Sequence, residues 1–188
     1  MLVVGNSILE GTQNGGYPWF EPLGAIYPEV EFMNQSKGGA TSLSVLDFFK
    51  KEDSPEADVL ILALGVNDVR YRNPELCSMD AGEFVRSMEG IISFFKHRNP
   101  EASVCMVSLW PAYDNDPFCP LPVVERDQLI DEYNDALREF CIRENFLFVD
   151  ACSNIREFMK SRVTDEYIID HIHPNANAGI IAYANSVS

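Results

Sequence analysis

Short, nearly unbroken apolar runs alternate along this chain with longer stretches in which apolar residues recur every three or four positions. Leu2 to Val4 is the first run, and it stops at Gly5. A short apolar run ended by glycine reads as a buried strand. Val30 to Met33 is a second short strand. Ala57 to Leu64 is the clearest, since its near-continuous apolar character suits a central parallel strand covered on both faces. Ala102 to Leu109 and Phe146 to Val149 are the fourth and fifth. The helical stretches fall between them. Pro18 to Ile26 predicts a first helix with proline near its start. Ser42 predicts the cap of a helix through Lys51, with Leu43, Val45, Leu46, Phe48 and Phe49 on its apolar side. Phe84, Met88, Ile91, Ile92 and Phe95 mark a long helix from about Asp80 to His97, stopped by Asn99-Pro100. Leu129, Ile130, Tyr133, Leu137, Phe140 and Cys141 mark another over Val124 to Asn145. A short helix is predicted near Ile155 to Lys160, and Asn175 can cap a last one through Ala184.

Strands that alternate with helices imply an α/β fold: a parallel sheet with helices on both faces. Right-handed crossovers restrict the topology, and a five-stranded, flavodoxin-like order 2-1-3-4-5 is the first choice. The length of 188 residues suits one domain, and no repeat, low-complexity tract or linker points to a second.

Charge narrows the partners. With 14 basic and 29 acidic side chains the formal net charge is −15, which disfavours nucleic acid and anionic membrane surfaces. No apolar run is long enough to span a membrane. The five cysteines are Cys77, Cys105, Cys119, Cys141 and Cys152; their number is odd and no Cys-x-x-Cys occurs. That pattern favours free thiols in a reducing compartment and disfavours a zinc site, and Cys105 and Cys141 fall in apolar patterns expected in the core. A cytoplasmic location is therefore expected, although a secreted chain with its leader removed would look the same.

The candidate chemistry lies at strand ends. Ser7 follows strand 1 directly, at the carboxyl edge where open α/β sheets hold their sites. Gly39 and Asn67 lie in the segments after strands 2 and 3, which share that edge because all the strands point one way. Asp170 and His173 lie in the loop before the last helix. A serine, a base, a carboxylate to orient the base and amide donors are the parts that acyl transfer requires.

In these segments the sequence resembles the GDSL/SGNH hydrolase family over nearly its whole length. Gly5-Asn6-Ser7 with Gly11 resembles the family's first block, and Asn34 to Thr41 with Gly39 its second. Gly65-Val66-Asn67-Asp68 resembles the Gly-x-Asn-Asp motif, and Asp170-His171-Ile172-His173 the Asp-x-x-His motif. Each block alone is a weak signal, and four in order are a strong one. The resemblance implies a serine esterase on a three-layer αβα sandwich. It makes Ser7 the nucleophile, His173 the base and Asp170 the group orienting it. The N–H groups of Ser7 and Gly39 and the Asn67 amide would form the oxyanion hole, and no metal or organic cofactor is implied. The family's usual Asp before the serine is Asn6 here. An amide keeps the turn's hydrogen bonds and loses the charge.

Other residues carry plainer readings. His171 is a loop residue or pocket wall, and His97 suits the end of a helix. Asp68 braces or caps its loop. Trp19, Trp110 and Tyr71 are candidate cleft residues, with core packing the commoner role for aromatics. Asp114, Asp116, Glu125, Asp127, Asp131 and Glu132 read as a solvated acidic face. The proline-bearing stretch Trp110 to Pro122 is long for a connection and is a candidate substrate-facing loop. The expected substrate is a small-molecule or carbohydrate ester, for instance an O-acetyl group on a sugar. A lysophospholipase, a thioesterase, an O-acyltransferase with the same triad, or an inactive flavodoxin-like binding domain are the alternatives.

Overall fold

The computed structural model describes residues 1–11, 21–52, 54–160 and 166–175. Its core is a five-stranded parallel sheet built from β1 (Leu2–Gly5), β2 (Met33–Asn34), β3 (Val59–Ala63), β4 (Ser103–Val107) and β5 (Leu147–Val149). The spatial order is β2-β1-β3-β4-β5, as the alternating pattern predicts. Leu2 pairs with Leu60, Leu60 with Val104, and Cys105 with Leu147.

Alternation along the strands divides the core in two. Leu2, Val4, Leu60, Leu62, Val104 and Met106 face one side. They meet apolar residues of α3 (Ser42–Lys51), α5 (Ala81–Arg98) and α6 (Val123–Glu144). Val3, Ile61, Ala63 and Val107 face the other. There they meet Ile8 and Leu9 of α1 (Ser7–Glu10) and Ala151 and Ile155 of α7 (Ala151–Met159). Two helical layers therefore enclose the sheet in a three-layer αβα sandwich.

Phe84, Met88, Ile91 and Phe95 of α5 are all fully buried, so the helical spacing read from the sequence is the packed face. Phe84 lies against the Tyr133 ring with centroids 5.1 Å apart, and the buried Tyr133 hydroxyl donates to the Ser78 carbonyl at 2.7 Å. Asp80 caps α5, and Asn145 closes α6 in the left-handed conformation. Among the described residues no helix is long and apolar enough to cross a membrane.

Several predicted boundaries move. The second strand is only Met33–Asn34, because Val30 to Phe32 run up to the sheet edge without joining the ladder. Thr41, not Ser42, caps α3: its hydroxyl accepts from the Ser44 N–H, while the Ser44 hydroxyl accepts from the Thr41 N–H. The first predicted helix is seen as α2 (Glu21–Ile26), and its start lies outside the described residues, as does the last predicted helix beyond Asn175. Gly65 to Asp68, read as a loop, opens a helix, α4 (Val66–Tyr71). Its six residues hold two polar side chains on the buried face, so no apolar periodicity announces it. All five cysteines are free. Cys141 is in the core as expected, whereas Cys105 is only half-buried, on the second face of the sheet. Burial pushes the thiols of Cys105 and Cys141 up to about 11 and that of Cys152 up to about 12, which keeps them protonated and inert near neutrality.

Candidate active site

The turn from β1 into α1 presents Ser7. Asn6 caps the helix, its side-chain oxygen accepting from the Ile8 N–H at 3.0 Å, so the amide does the work available to a carboxylate here. Gly5 makes the turn tight enough: a Cβ there would stand 2.6 Å from the Leu9 side chain and 2.9 Å from the Ala63 carbonyl. Ser7 is the first helical residue, so its N–H has no acceptor within the helix.

His173 comes from the far end of the chain. The backbone pairs Ile168 with Pro174, and Ile169 N–H donates to the His173 carbonyl at 2.8 Å. The buried ring places Nε2 2.7 Å from Ser7 Oγ. Nδ1 lies 2.8 Å from Asp170 Oδ2. Asp170 Oδ1 accepts from the N–H groups of Ile172 and His173, each at 2.8 Å. Partial burial pushes the Asp170 carboxyl up, but hydrogen bonds from the His173 and Ile172 N–H groups and the His173 ring outweigh it, and the net displacement is below the usual carboxylate range. Asp170 therefore stays ionised at neutral pH, and a Nδ1–H tautomer leaves Nε2 to accept from the Ser7 hydroxyl.

The second and third blocks flank the serine. Gly39 has φ +73°, a conformation that favours glycine, and among the described residues nothing accepts from its N–H. Gly38 is tied beside it: its N–H donates to Glu10 Oε2 at 2.7 Å, and a Cβ on Gly38 would stand 3.9 Å from that of Ser7. Asn67 is buried in the first turn of α4, and Nδ2 donates to the Ala40 carbonyl at 2.9 Å. An amide has two N–H donors, so this bond orients the group and leaves one free.

Asp68 braces this arrangement. Its carboxylate accepts from the Ser42 hydroxyl at 2.6 Å, the Ser42 N–H at 3.0 Å and the Ser78 N–H at 3.1 Å. It thus joins α4 to the start of α3, immediately after the Gly39–Ala40 turn. Burial pushes Asp68 up to about 6 against the pull of its bonds from Ser42 and Ser78. With the folded value above the unfolded one, the ionised carboxyl costs stability, and the cost grows as pH rises from about 4 to about 6.

The acidic stretch is not one solvated face. Asp116 is buried, with Oδ2 2.5 Å from Arg70 Nε and 3.3 Å from Arg126 Nη1. Burial pushes Asp116 up, but the bonds from Arg70 and the Phe118 N–H prevail and hold it low. Asp127 accepts from the Ala112 N–H at 3.1 Å and pairs with Arg156, as does Asp131. The stretch 110–122 is therefore pinned to α4 and α6, while Asp127 and Asp131 tie α6 to α7. Sequence spacing held no sign of this, because the cations come from three separate helices. His171 turns away from Asp170 and sets Nδ1 2.9 Å from Asp114 Oδ1. Trp110 is core, packed on the second face of the sheet, while Tyr71 is half-buried beside Gly39 and Trp19 lies outside the described residues.

Fold and site together define a three-layer αβα protein with a serine–histidine–aspartate cluster at the carboxyl edge of its sheet. The chain belongs to the GDSL-like Lipase/Acylhydrolase family, which it matches over residues 3–178. Solved structures with the same fold include Axe2, an acetylxylan esterase from Geobacillus stearothermophilus (18% identity, 98% of this chain and 90% of that one, TM-score 0.76). A protein assigned as a GDSL-like lipase from Parabacteroides merdae is similar at 16% identity, with 98% and 91% covered and a TM-score of 0.78. A member of the lipolytic G-D-S-L family from Veillonella parvula is similar at 18% identity, with 98% and 93% covered and a TM-score of 0.75. Among curated proteins, none matches the chain in sequence. Family membership supports hydrolysis of esters.

Proposed function

We propose that this protein is a serine esterase that removes a small acyl group, and that the natural ester is an O-acetyl group on a carbohydrate. The observation that carries the reading is the hydrogen-bonded chain Ser7 Oγ–His173 Nε2–Asp170, at 2.7 and 2.8 Å, beside free N–H donors. His173 Nε2 takes the Ser7 proton as Oγ attacks the ester carbonyl. The N–H groups of Ser7 and Gly39 and the second Asn67 N–H hold the oxyanion of the tetrahedral intermediate. Collapse breaks the ester C–O bond, and His173 gives its proton to the departing alcohol. Water then attacks the acyl-enzyme with His173 again as base, releasing the acid and restoring Ser7. The acetylxylan esterase among the structural neighbours supports the carbohydrate part of the reading. The 110–122 stretch is fixed beside the His171 side of the last block, since Arg70 holds its buried Asp116 and Asp127 of α6 accepts from its Ala112 N–H.

A series of p-nitrophenyl esters from about two to twelve carbons tests this. The acetate should be the best substrate, with kcat/KM falling steadily as the chain lengthens. A maximum at long chains would favour a lipase or lysophospholipase, and no turnover of any ester would overturn the reading.

The oxyanion role of Asn67 has its own test. Asn67→Ala should lower kcat by roughly 10²–10³-fold with a smaller change in KM, since the donor acts on charge that develops in the transition state. A loss confined to KM would mark Asn67 as a ground-state binding residue instead.

A further inference from the structure

We propose that Tyr71 and Phe118, whose rings both pack on the Arg70 guanidinium, bind the alcohol part of the substrate and select a carbohydrate ring there. The inference rests on the esterase reading above and adds the residues that recognise the alcohol.

Tyr71 lies four residues after Asn67, and residues four apart share one face of a helix. Both meet the same turn of chain. Asn67 Nδ2 bonds the Ala40 carbonyl at 2.9 Å, and the Tyr71 hydroxyl stands 3.6 Å from the point a Cβ on Gly39 would occupy. The phenol therefore borders the oxyanion donors directly. Its hydroxyl has no hydrogen-bond partner among the described residues, although the ring is half-buried. A tyrosine of that kind has an apolar body and a polar handle to offer a ligand.

Arg70 holds the second part in place. Its guanidinium carbon lies 5.6 Å from the Tyr71 ring centroid and 5.2 Å from that of Phe118. Its Nε is fixed by the buried Asp116 at 2.5 Å. Asp116 also accepts from the Phe118 N–H at 2.9 Å, so the loop that carries Phe118 is set by the same anchor. Phe118 is 69% exposed among the described residues, so much of its ring stays open to solvent beside the Arg70 guanidinium. The result is a fixed surface with a hydroxyl at its inner end and a largely exposed aromatic ring at its outer end.

That surface suits a sugar better than an acyl chain. Beyond its carbonyl an acetyl group has no polar atom, so the Tyr71 hydroxyl gains nothing from it. A sugar carries hydroxyls on the carbons next to the ester, within reach of a group that borders the oxyanion donors. Its C–H face can cover Phe118. The inner hydroxyl thus selects for a vicinal hydroxyl, and the outer ring for the breadth of the sugar.

The test compares two acetate esters, p-nitrophenyl acetate and a mono-O-acetylated methyl xyloside, in wild type, Tyr71→Phe and Phe118→Ala. The quantity read is the kcat/KM for the sugar ester divided by that for the aryl ester. Tyr71→Phe, which keeps the ring and its packing, should lower this ratio about tenfold, chiefly through KM of the sugar ester. Phe118→Ala, at an exposed position, should lower it about threefold or more. An unchanged ratio in both variants overturns the inference while leaving the esterase reading intact. So does an equal loss on both esters in Tyr71→Phe, since that marks a support for Gly39 and not a reader of the alcohol. A wild type that cleaves the aryl acetate but not the sugar ester overturns the carbohydrate class. A wild type that cleaves neither overturns the esterase reading itself.

Discussion

Replacing Ser7 with alanine is expected to lower kcat by roughly 10⁴-fold or more, with the fold unchanged. The size follows from the role. Without the hydroxyl no acyl-enzyme can form, and only the oxyanion donors remain to help water attack directly. The unchanged fold follows from the surroundings. The Ser7 hydroxyl bonds His173 Nε2, whereas the turn is held by Asn6 capping Ile8 and by the Gly11 N–H bonding the Ser7 carbonyl. Those bonds use backbone and the Asn6 side chain, all of which the variant keeps. A fluorophosphonate should add one adduct to wild-type protein, placed on Ser7 by peptide mapping, and none to Ser7→Ala. A label on another serine, or wild-type turnover by the variant, would end the assignment.

The sequence carries the sheet more fully than the site. Strand order is legible because near-continuous apolar runs such as Val59–Ala63 have one physical use, a strand covered on both faces. α5 and α6 are legible for the same reason, their buried residues falling on one side. α4 is not, because it buries Asn67 and Asp68, which look like loop residues until their acceptors and donors are seen. β2 is misplaced because two paired residues leave hardly any pattern. At the site, Ser7, Gly39, Asn67, Asp170 and His173 lie on the segments the sequence singles out, and the structure brings Ser7, His173 and Asp170 into one hydrogen-bonded chain. Asp116 reads as solvated acidic surface in the sequence, because its burial between Arg70 and Arg126 depends on three segments meeting, which spacing within one of them cannot reveal.

The two histidines of the last block offer the sharpest contrast. His173→Ala is expected to lose almost all activity, on the order of 10⁴-fold or more in kcat, whereas His171→Ala keeps most of it. They stand two residues apart and differ in what holds them. The His173 ring is buried between Ser7 Oγ and Asp170, with its backbone N–H also on Asp170. The His171 ring is 40% exposed and pairs with Asp114 on the neighbouring wall, so its removal costs one surface contact. Asp170→Asn should also be severely impaired. An amide presents an N–H where the carboxylate accepts, and this favours the imidazole tautomer that cannot take the serine proton. Asp170 stays ionised at neutral pH, because its hydrogen bonds hold it below the usual carboxylate range, and so keeps orienting the His173 ring. If His171→Ala is the inactive variant and His173→Ala the active one, the base has been placed on the wrong ring, and the role of Asp170 falls with it.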